Sequence, residues 1–207
     1  MSAMQTTKRR RPESSDGAPA DPVRSDIWFD DGNIILQADN TQFRVYKGSL
    51  YHFSEVLKTA MENMGDSKGA EGCPLLFLSD STVELGYVLR ALFYRSYPDN
   101  TPIAFDVNVA FLRLGRKYEM KPLYDSAQTR ITKAFPSSVE EYYPTDLLNF
   151  ITERRGNIAA ESIVIARELE LRHLLPAAFW FMARRFELLG DDKANSLSPT
   201  RRQSFWR

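Results

Sequence analysis

Apolar and polar side chains alternate through residues 41–46, whereas from Leu50 the apolar spacing widens to three or four positions. Alternation places every second side chain on one face of a strand, and the wider spacing places a stripe along one face of a helix. Three strands are expected first. Ile27, Trp28 and Phe29 form a short apolar one, followed by the turn formers Asp30, Asp31, Gly32 and Asn33. Residues 33–38 form a second strand, with Ile34 and Leu36 on one face, and Asp39-Asn40 a tight turn. Residues 41–46 form a third, with Phe43 and Val45 on one face, completing a hairpin pattern.

Helices are expected thereafter. Leu50, Phe53, Leu57 and Met61 make one continuous stripe. Residues 65–74 carry three glycines and a proline, too costly for a helix, and read as a loop. Leu75 to Leu78 is a short apolar strand. Ser81-Thr82-Val83-Glu84 fits a capping box that starts a helix with Leu85, Val88, Leu89, Leu92 and Phe93 inward. Pro98 and Pro102 interrupt it. Asp106 is placed to cap a helix burying Val107, Ala110, Phe111, Leu114 and Tyr118. Pro122 suits the first turn of the next, which buries Leu123, Ala127 and Ile131 and ends at Pro136. The remainder reads as all-helical: Leu147, Leu148 and Ile151 after Pro144, then Ala159, Ile163, Ala166 and Leu169 after Gly156-Asn157. A last helix runs from Pro176 through Phe179, Met182, Ala183, Phe186 and Leu189 to Gly190. The expected class is α+β.

The ends differ in composition. Residues 1–23 hold prolines, serines and a glycine with almost no large apolar side chain, and are expected to be a disordered basic tail. Within it Lys8-Arg9-Arg10-Arg11 has the make-up of a short nuclear-import signal; a solvated basic tail accounts for it equally. Residues 191–207 read as a flexible polar tail.

Composition narrows the functional classes. Lys plus Arg and Asp plus Glu each number 27, so no overall field favours nucleic acid or a membrane surface. Arg154-Arg155, Arg184-Arg185 and Arg201-Arg202 are local basic pairs, but Glu153 and Glu187 dilute two of them. Cys73 is the single cysteine, so an internal disulfide is impossible and a reducing compartment is expected. No secretory leader is expected, since polar residues and a basic run follow Met1, and no apolar run in these 207 residues approaches the roughly 20 a membrane helix needs. The expected location is nuclear or cytoplasmic.

Three ordered blocks resemble the BTB/POZ family. The first combines Asp26-Ile27 with Phe43, Val45, Tyr46, Lys47, Leu50 and Ser54. The second is Leu76-Phe77-Leu78-Ser79-Asp80 with the helix from Leu89 to Tyr94. The third is Leu112-Arg113-Leu114-Gly115-Arg116-Lys117-Tyr118 with Leu123 following. The resemblance spans residues 24–135, with 136–190 as a helical extension, and the whole is similar to BTB proteins of mushroom-forming (basidiomycete) fungi. Tyr46 departs from the family pattern, which usually has His there.

The resemblance implies a small sheet flanked by helices, acting in protein–protein binding and homodimerisation. In many members the first strand and first helix exchange or pack across the dimer, which places Ile27, Trp28, Phe29, Leu50 and Phe53 near an interface. Trp28 and Phe29 are strand neighbours and face opposite sides, so one ring needs a cover, from a partner or from the C-terminal helices. Some members are substrate adaptors of cullin-type ubiquitin ligases, using an apolar-x-Glu element after the second helix. The nearest match is Met64-Gly65-Asp66, with Met61 before it. Nuclear transcription regulation is the other alternative. No Kelch, MATH or zinc-finger module follows.

Candidate chemistry is sparse. His52 and His173 are the only histidines, and with Cys73 they make neither zinc-ligand spacing nor a recognisable nucleophile–base pair. The carboxylate pairs Asp30-Asp31, Glu140-Glu141 and Asp191-Asp192 are sequence neighbours in turns or at ends. Gly65, Gly69 and Gly72 lack the Lys-Ser/Thr of a phosphate loop. The expectation is a non-catalytic interaction module with no cofactor, metal or small-molecule substrate.

Overall fold

The computed structural model describes residues 21–65, 68–69, 72–94, 96–97, 101–135, 151–152, 158–180 and 182–183. It is α+β. Strands β1 (Val23–Trp28), β2 (Ile34–Ala38) and β3 (Thr41–Val45) lead into helices α1 (Lys47–Phe53) and α2 (Glu55–Glu62). Then come β4 (Leu75–Leu78), α3 (Thr82–Tyr94), β5 (Ile103–Ala104), α4 (Phe105–Lys117) and α5 (Lys121–Ala134). Strand β6 (Ile151–Thr152), helix α6 (Ile158–Glu168) and a short 3-10 turn (Arg172–Leu174) complete the order, with residues 175–180 helical.

The main sheet runs β1-β3-β2-β4. Only β2 and β3 form a hairpin, with Leu36 opposite Phe43 and Ile34 opposite Val45. The first strand is not part of a meander: β1 pairs with β3 in parallel, so the 29–33 connection crosses the end of β3. Gly32 permits that crossing, because a Cβ there would stand 2.9 Å from Arg44 Cγ and 3.0 Å from the Val45 carbonyl. The inner face presents Ile34, Leu36, Ala38, Phe43 and Val45 to the helices in the main core. The outer face is also partly closed, as Ile35, Cys73 and Leu75 are buried there against Trp28. This explains why Ile34-Ile35-Leu36 does not alternate.

The expected single helix through Leu50 and Met61 is two helices. Ser54 breaks it, standing in an extended conformation and capping α2 by accepting a hydrogen bond from the Leu57 amide at 3.0 Å. Its hydroxyl donates to the Tyr118 carbonyl at 2.6 Å, tying the break to the end of α4. The expected capping box at α3 is also redirected. The Thr82 amide donates to Asp39 Oδ2 at 3.3 Å, and Glu84 reaches away to Arg113 at 2.7 Å. Helix α4 begins one residue before Asp106, which lies in its first turn with the Val107 amide on its Oδ1.

Helices α4 and α5 pack closely at Gly115, where a Cβ would lie 3.1 Å from Tyr124 Cβ. Phe111, Leu112, Ile131 and Phe135 are fully buried between elements, each contributing roughly 1.5–3 kcal/mol. The extension shares this core, since Ile163, Ile165, Ala166, Leu169, Leu171 and Leu174 join the same cluster. It is not all-helical: Ile151, expected in a helix, lies in β6, which pairs in parallel with β5. Leu147, Leu148, Phe186, Leu189 and residues 1–20 and 191–207 lie outside the described residues, whereas Val23, expected at the end of the disordered tail, begins β1, where its amide donates to the Asn40 carbonyl.

Candidate functional site

The five residues expected near an interface fall into two groups. Ile27 and Leu50 are completely enclosed in the core of the single chain, with no surface left for a partner in this arrangement. Trp28, Phe29 and Phe53 keep partial exposure. Trp28 lies on the outer sheet face, with the Arg24 guanidinium 4.5 Å and that of Arg44 6.0 Å from its ring. Phe53 lines a small 190 Å³ hollow with Leu92, Tyr97, Met120 and Leu123. Within the chain, Trp28 is flanked by the Arg24 and Arg44 guanidinium groups, and Phe29 by rings from the start of α1 and the end of α3.

Phe29 is covered by an aromatic cluster. Its ring lies 4.9 Å from Tyr46, 5.5 Å from Phe93 and 5.7 Å from Tyr94, stacked on the last at 22°. Tyr46 is in turn 6.3 Å from Phe93. These rings come from the end of β1, the residue preceding α1 and the end of α3. Phe29, Tyr46 and Phe93 are half-buried, and Tyr94 is 49% exposed. The Tyr46 hydroxyl donates to Asp31, a hydrogen bond that raises its pKa above the ordinary tyrosine value. The cluster sits beside a sheet edge: among the described residues β1 is the first strand of the sheet order, paired on one side only, and Val23 on it is exposed. An Asp26–Arg90 ion pair at 2.7 Å fixes β1 to α3, and its hydrogen bond holds the Asp26 carboxyl below its usual pKa. Sequence periodicity did not single out Tyr94 or Phe93 for this role, because the rings meet only after β1, α1 and α3 converge.

Other expected positions scatter. Met61 is buried and Met64 packs partly buried on the core, while Asp66 lies outside the described residues, as do Lys8, Arg9, Arg10 and Arg11. Cys73 is buried beneath the sheet's outer face, with Sγ 3.9 Å from the Gly32 carbonyl. His52 is exposed at the end of α1, edge-on to Phe53, and His173 contacts Thr132 at 3.2 Å. The structure therefore does not gather these three into one site. Among the described residues no group of three His, Cys, Asp or Glu side chains could hold a metal ion. No described helix is long and apolar enough to cross a membrane.

Among the described residues, a charged network lies elsewhere, around Arg113. Arg113 on α4 bonds Glu84 on α3 at 2.7 Å and Glu168 on α6 at 2.8 Å, which drives its pKa further above the usual arginine value. A 430 Å³ groove beside it is walled by α3, the start of α4 and α6. No family model matches the chain, and no curated protein matches it.

Proposed function

We propose that this chain is a non-catalytic protein–protein interaction module of the BTB/POZ type that forms a homodimer through the surface where β1, α1 and α3 meet. The observation that carries the reading is the aromatic cluster of Phe29, Tyr46, Phe93 and Tyr94 beside the β1 edge of the sheet. Partly exposed aromatic rings offer large contact area at small entropic cost, and such residues dominate binding energy at interfaces. An open strand edge offers a row of backbone donors and acceptors to a second chain. The three sequence blocks that resemble the family supply the rest of the support: Ser54 of the first donates to the Tyr118 carbonyl of the third, and Lys117 of the third bonds Asp80 of the second.

Light scattering tests the proposal. The expected mass is twice 23.8 kDa at micromolar concentration. Tyr94→Lys puts a charge into the cluster's exposed rim and should weaken association about 30-fold, the effect of losing one hot-spot side chain at about 2 kcal/mol. A monomeric mass for the unaltered chain at micromolar concentration would overturn the dimer.

The adaptor and nuclear-regulator readings rank behind it. Met64 is engaged with the core, and Asp66 and the basic run lie outside the described residues, so no geometric observation favours either.

A further inference from the structure

The groove between α3, α4 and α6 has the chemistry of a docking site, and its occupant is encoded in the same chain. Val83 and Val164 stand on its walls at 59% and 58% exposure, unusual for valines on helices that otherwise bury their apolar faces. Phe105 and Ile165 supply an apolar floor. Three carboxylates line it, Glu84, Asp106 and Glu161, against one guanidinium, Arg113, so its lining is net acidic. Arg113 is already engaged by Glu84 and Glu168, so it cannot also serve the outer carboxylates well. An acid-rimmed groove with an apolar floor selects a segment that carries several cations on long aliphatic stems.

Residues 1–20 contain such a segment in Lys8-Arg9-Arg10-Arg11-Pro12. The first described residues lie close to the groove. The Asp21 carbonyl accepts from Asn40 Nδ2 at 3.1 Å, and the Val23 amide donates to the Asn40 carbonyl at 2.8 Å. The neighbouring Asp39 holds the Thr82 amide and hydroxyl at 3.3 and 3.1 Å. Thr82 lies between Ser81 and Val83, both of which line the groove. The first described residue is thus two hydrogen-bonded contacts from the groove's mouth. The nine residues between Arg11 and Asp21 let the two ends stand up to about 35 Å apart when extended, ample for the run to lie along the groove.

The geometry points to intramolecular docking: the basic run Lys8–Arg11 occupies the Glu84/Asp106/Glu161 groove of its own chain. Docked, the run is withheld from any receptor or acidic surface that reads basic segments, and its release becomes a point of control. Neither step depends on the chain being a BTB protein or a dimer.

The test uses the full chain. A zero-length carbodiimide joins an amine to a carboxylate only in direct contact, so peptide mass spectrometry should find Lys8 joined to Glu161, Asp106 or Glu84. In a mixture of isotopically light and heavy chains, those links should be light–light or heavy–heavy. Amide exchange gives the second measurement. Replacing Lys8, Arg9, Arg10 and Arg11 by Ser should speed exchange at the groove's exposed amides about tenfold, as expected when an effective concentration of about 1 mM meets an intrinsic Kd of about 0.1 mM. Glu161→Lys combined with Val164→Glu, both at exposed positions, should give the same acceleration, as should 1 M salt, where screening acts within about 3 Å. Exchange identical in the unaltered chain and both variants would overturn the proposal. Mixed light–heavy links making up about half of all such links in an equimolar mixture, the share random pairing of copies gives, would overturn it too, by assigning the groove to a second copy.

Discussion

Ser54→Ala should destabilise the fold far more than the loss of one small hydroxyl suggests. Ser54 is 2% exposed, so neither of its partners can turn to water when the oxygen is removed. The Leu57 amide, 3.0 Å away, loses its cap, and N-cap losses to Ala cost about 1 kcal/mol. The Tyr118 carbonyl, 2.6 Å away, loses a buried donor, and an unsatisfied buried acceptor costs about 1–3 kcal/mol. Together the two give about 2–4 kcal/mol. With a urea dependence of about 2–3 kcal/mol per molar, the unfolding midpoint should fall by roughly 1–1.5 M. Lys58→Ala is the comparison, four residues along. It removes an ion pair with Glu55 of 2.7 Å whose glutamate is 70% exposed, and should change stability by less than about 0.5 kcal/mol. Urea unfolding followed by far-ultraviolet circular dichroism measures both. If Ser54→Ala moved the midpoint no further than Lys58→Ala, the hydroxyl would not be joining α2 to α4, and the account of the helix break would be wrong.

Two further outcomes follow from the polar contacts around α4. Tyr118 is buried and donates to Asp80; burial first and that hydrogen bond second push its pKa above the usual tyrosine range. A raised folded pKa adds stability that is complete below the unfolded value of about 10 and is lost as pH rises beyond it, by up to about 1.4 kcal/mol per pH unit. The stability gap between the unaltered chain and Tyr118→Phe, read from urea midpoints, should therefore narrow above about pH 10; a constant gap up to pH 11.5 contradicts the assignment. Arg113→Met should loosen α6 selectively, because it severs the link to Glu168 and leaves half-buried Glu84 without its cation. Amide exchange in residues 158–168 should accelerate more than in α5, with a global cost of about 1–2 kcal/mol; equal acceleration in both helices would refute the bridging role.

Periodicity read the core well, because core residues repeat at intervals set by one element. Leu36 and Phe43 face each other in the sheet, and Leu85, Val88 and Leu89 line α3, as alternation and helical spacing require. It failed where a distant contact overrode a local pattern. The stripe Leu50, Phe53, Leu57, Met61 keeps its spacing across the break at Ser54, since a one-residue interruption barely alters a three-or-four repeat; only the bond to Tyr118, far along the chain, fixes the break. Ser81 and Glu84 satisfy the capping-box spacing, yet Glu84 gains more from the Arg113 guanidinium than from a single backbone amide. Strand β6 was hidden for the same reason, as its two residues acquire strand character only by pairing with β5.

The candidate partner surface was the least legible part, and Tyr46 shows why. It stands where the resembled family usually has His, and at the level of sequence it is only a mismatch in a motif. In the fold its ring covers Phe29 and approaches Phe93, while its hydroxyl reaches Asp31. A larger aromatic ring at this position enlarges the patch formed by Phe29, Phe93 and Tyr94, whereas residues such as Phe43, Leu50 and Leu57 remain enclosed beneath it. Enclosed positions are constrained by the scaffold's shape, which chains with different partners can share. Tyr46 and Tyr94 face outward from that scaffold, so their substitution alters the surface while leaving the core in place. If this surface is the proposed dimer interface, Tyr46→His should change self-association more than it changes the urea midpoint.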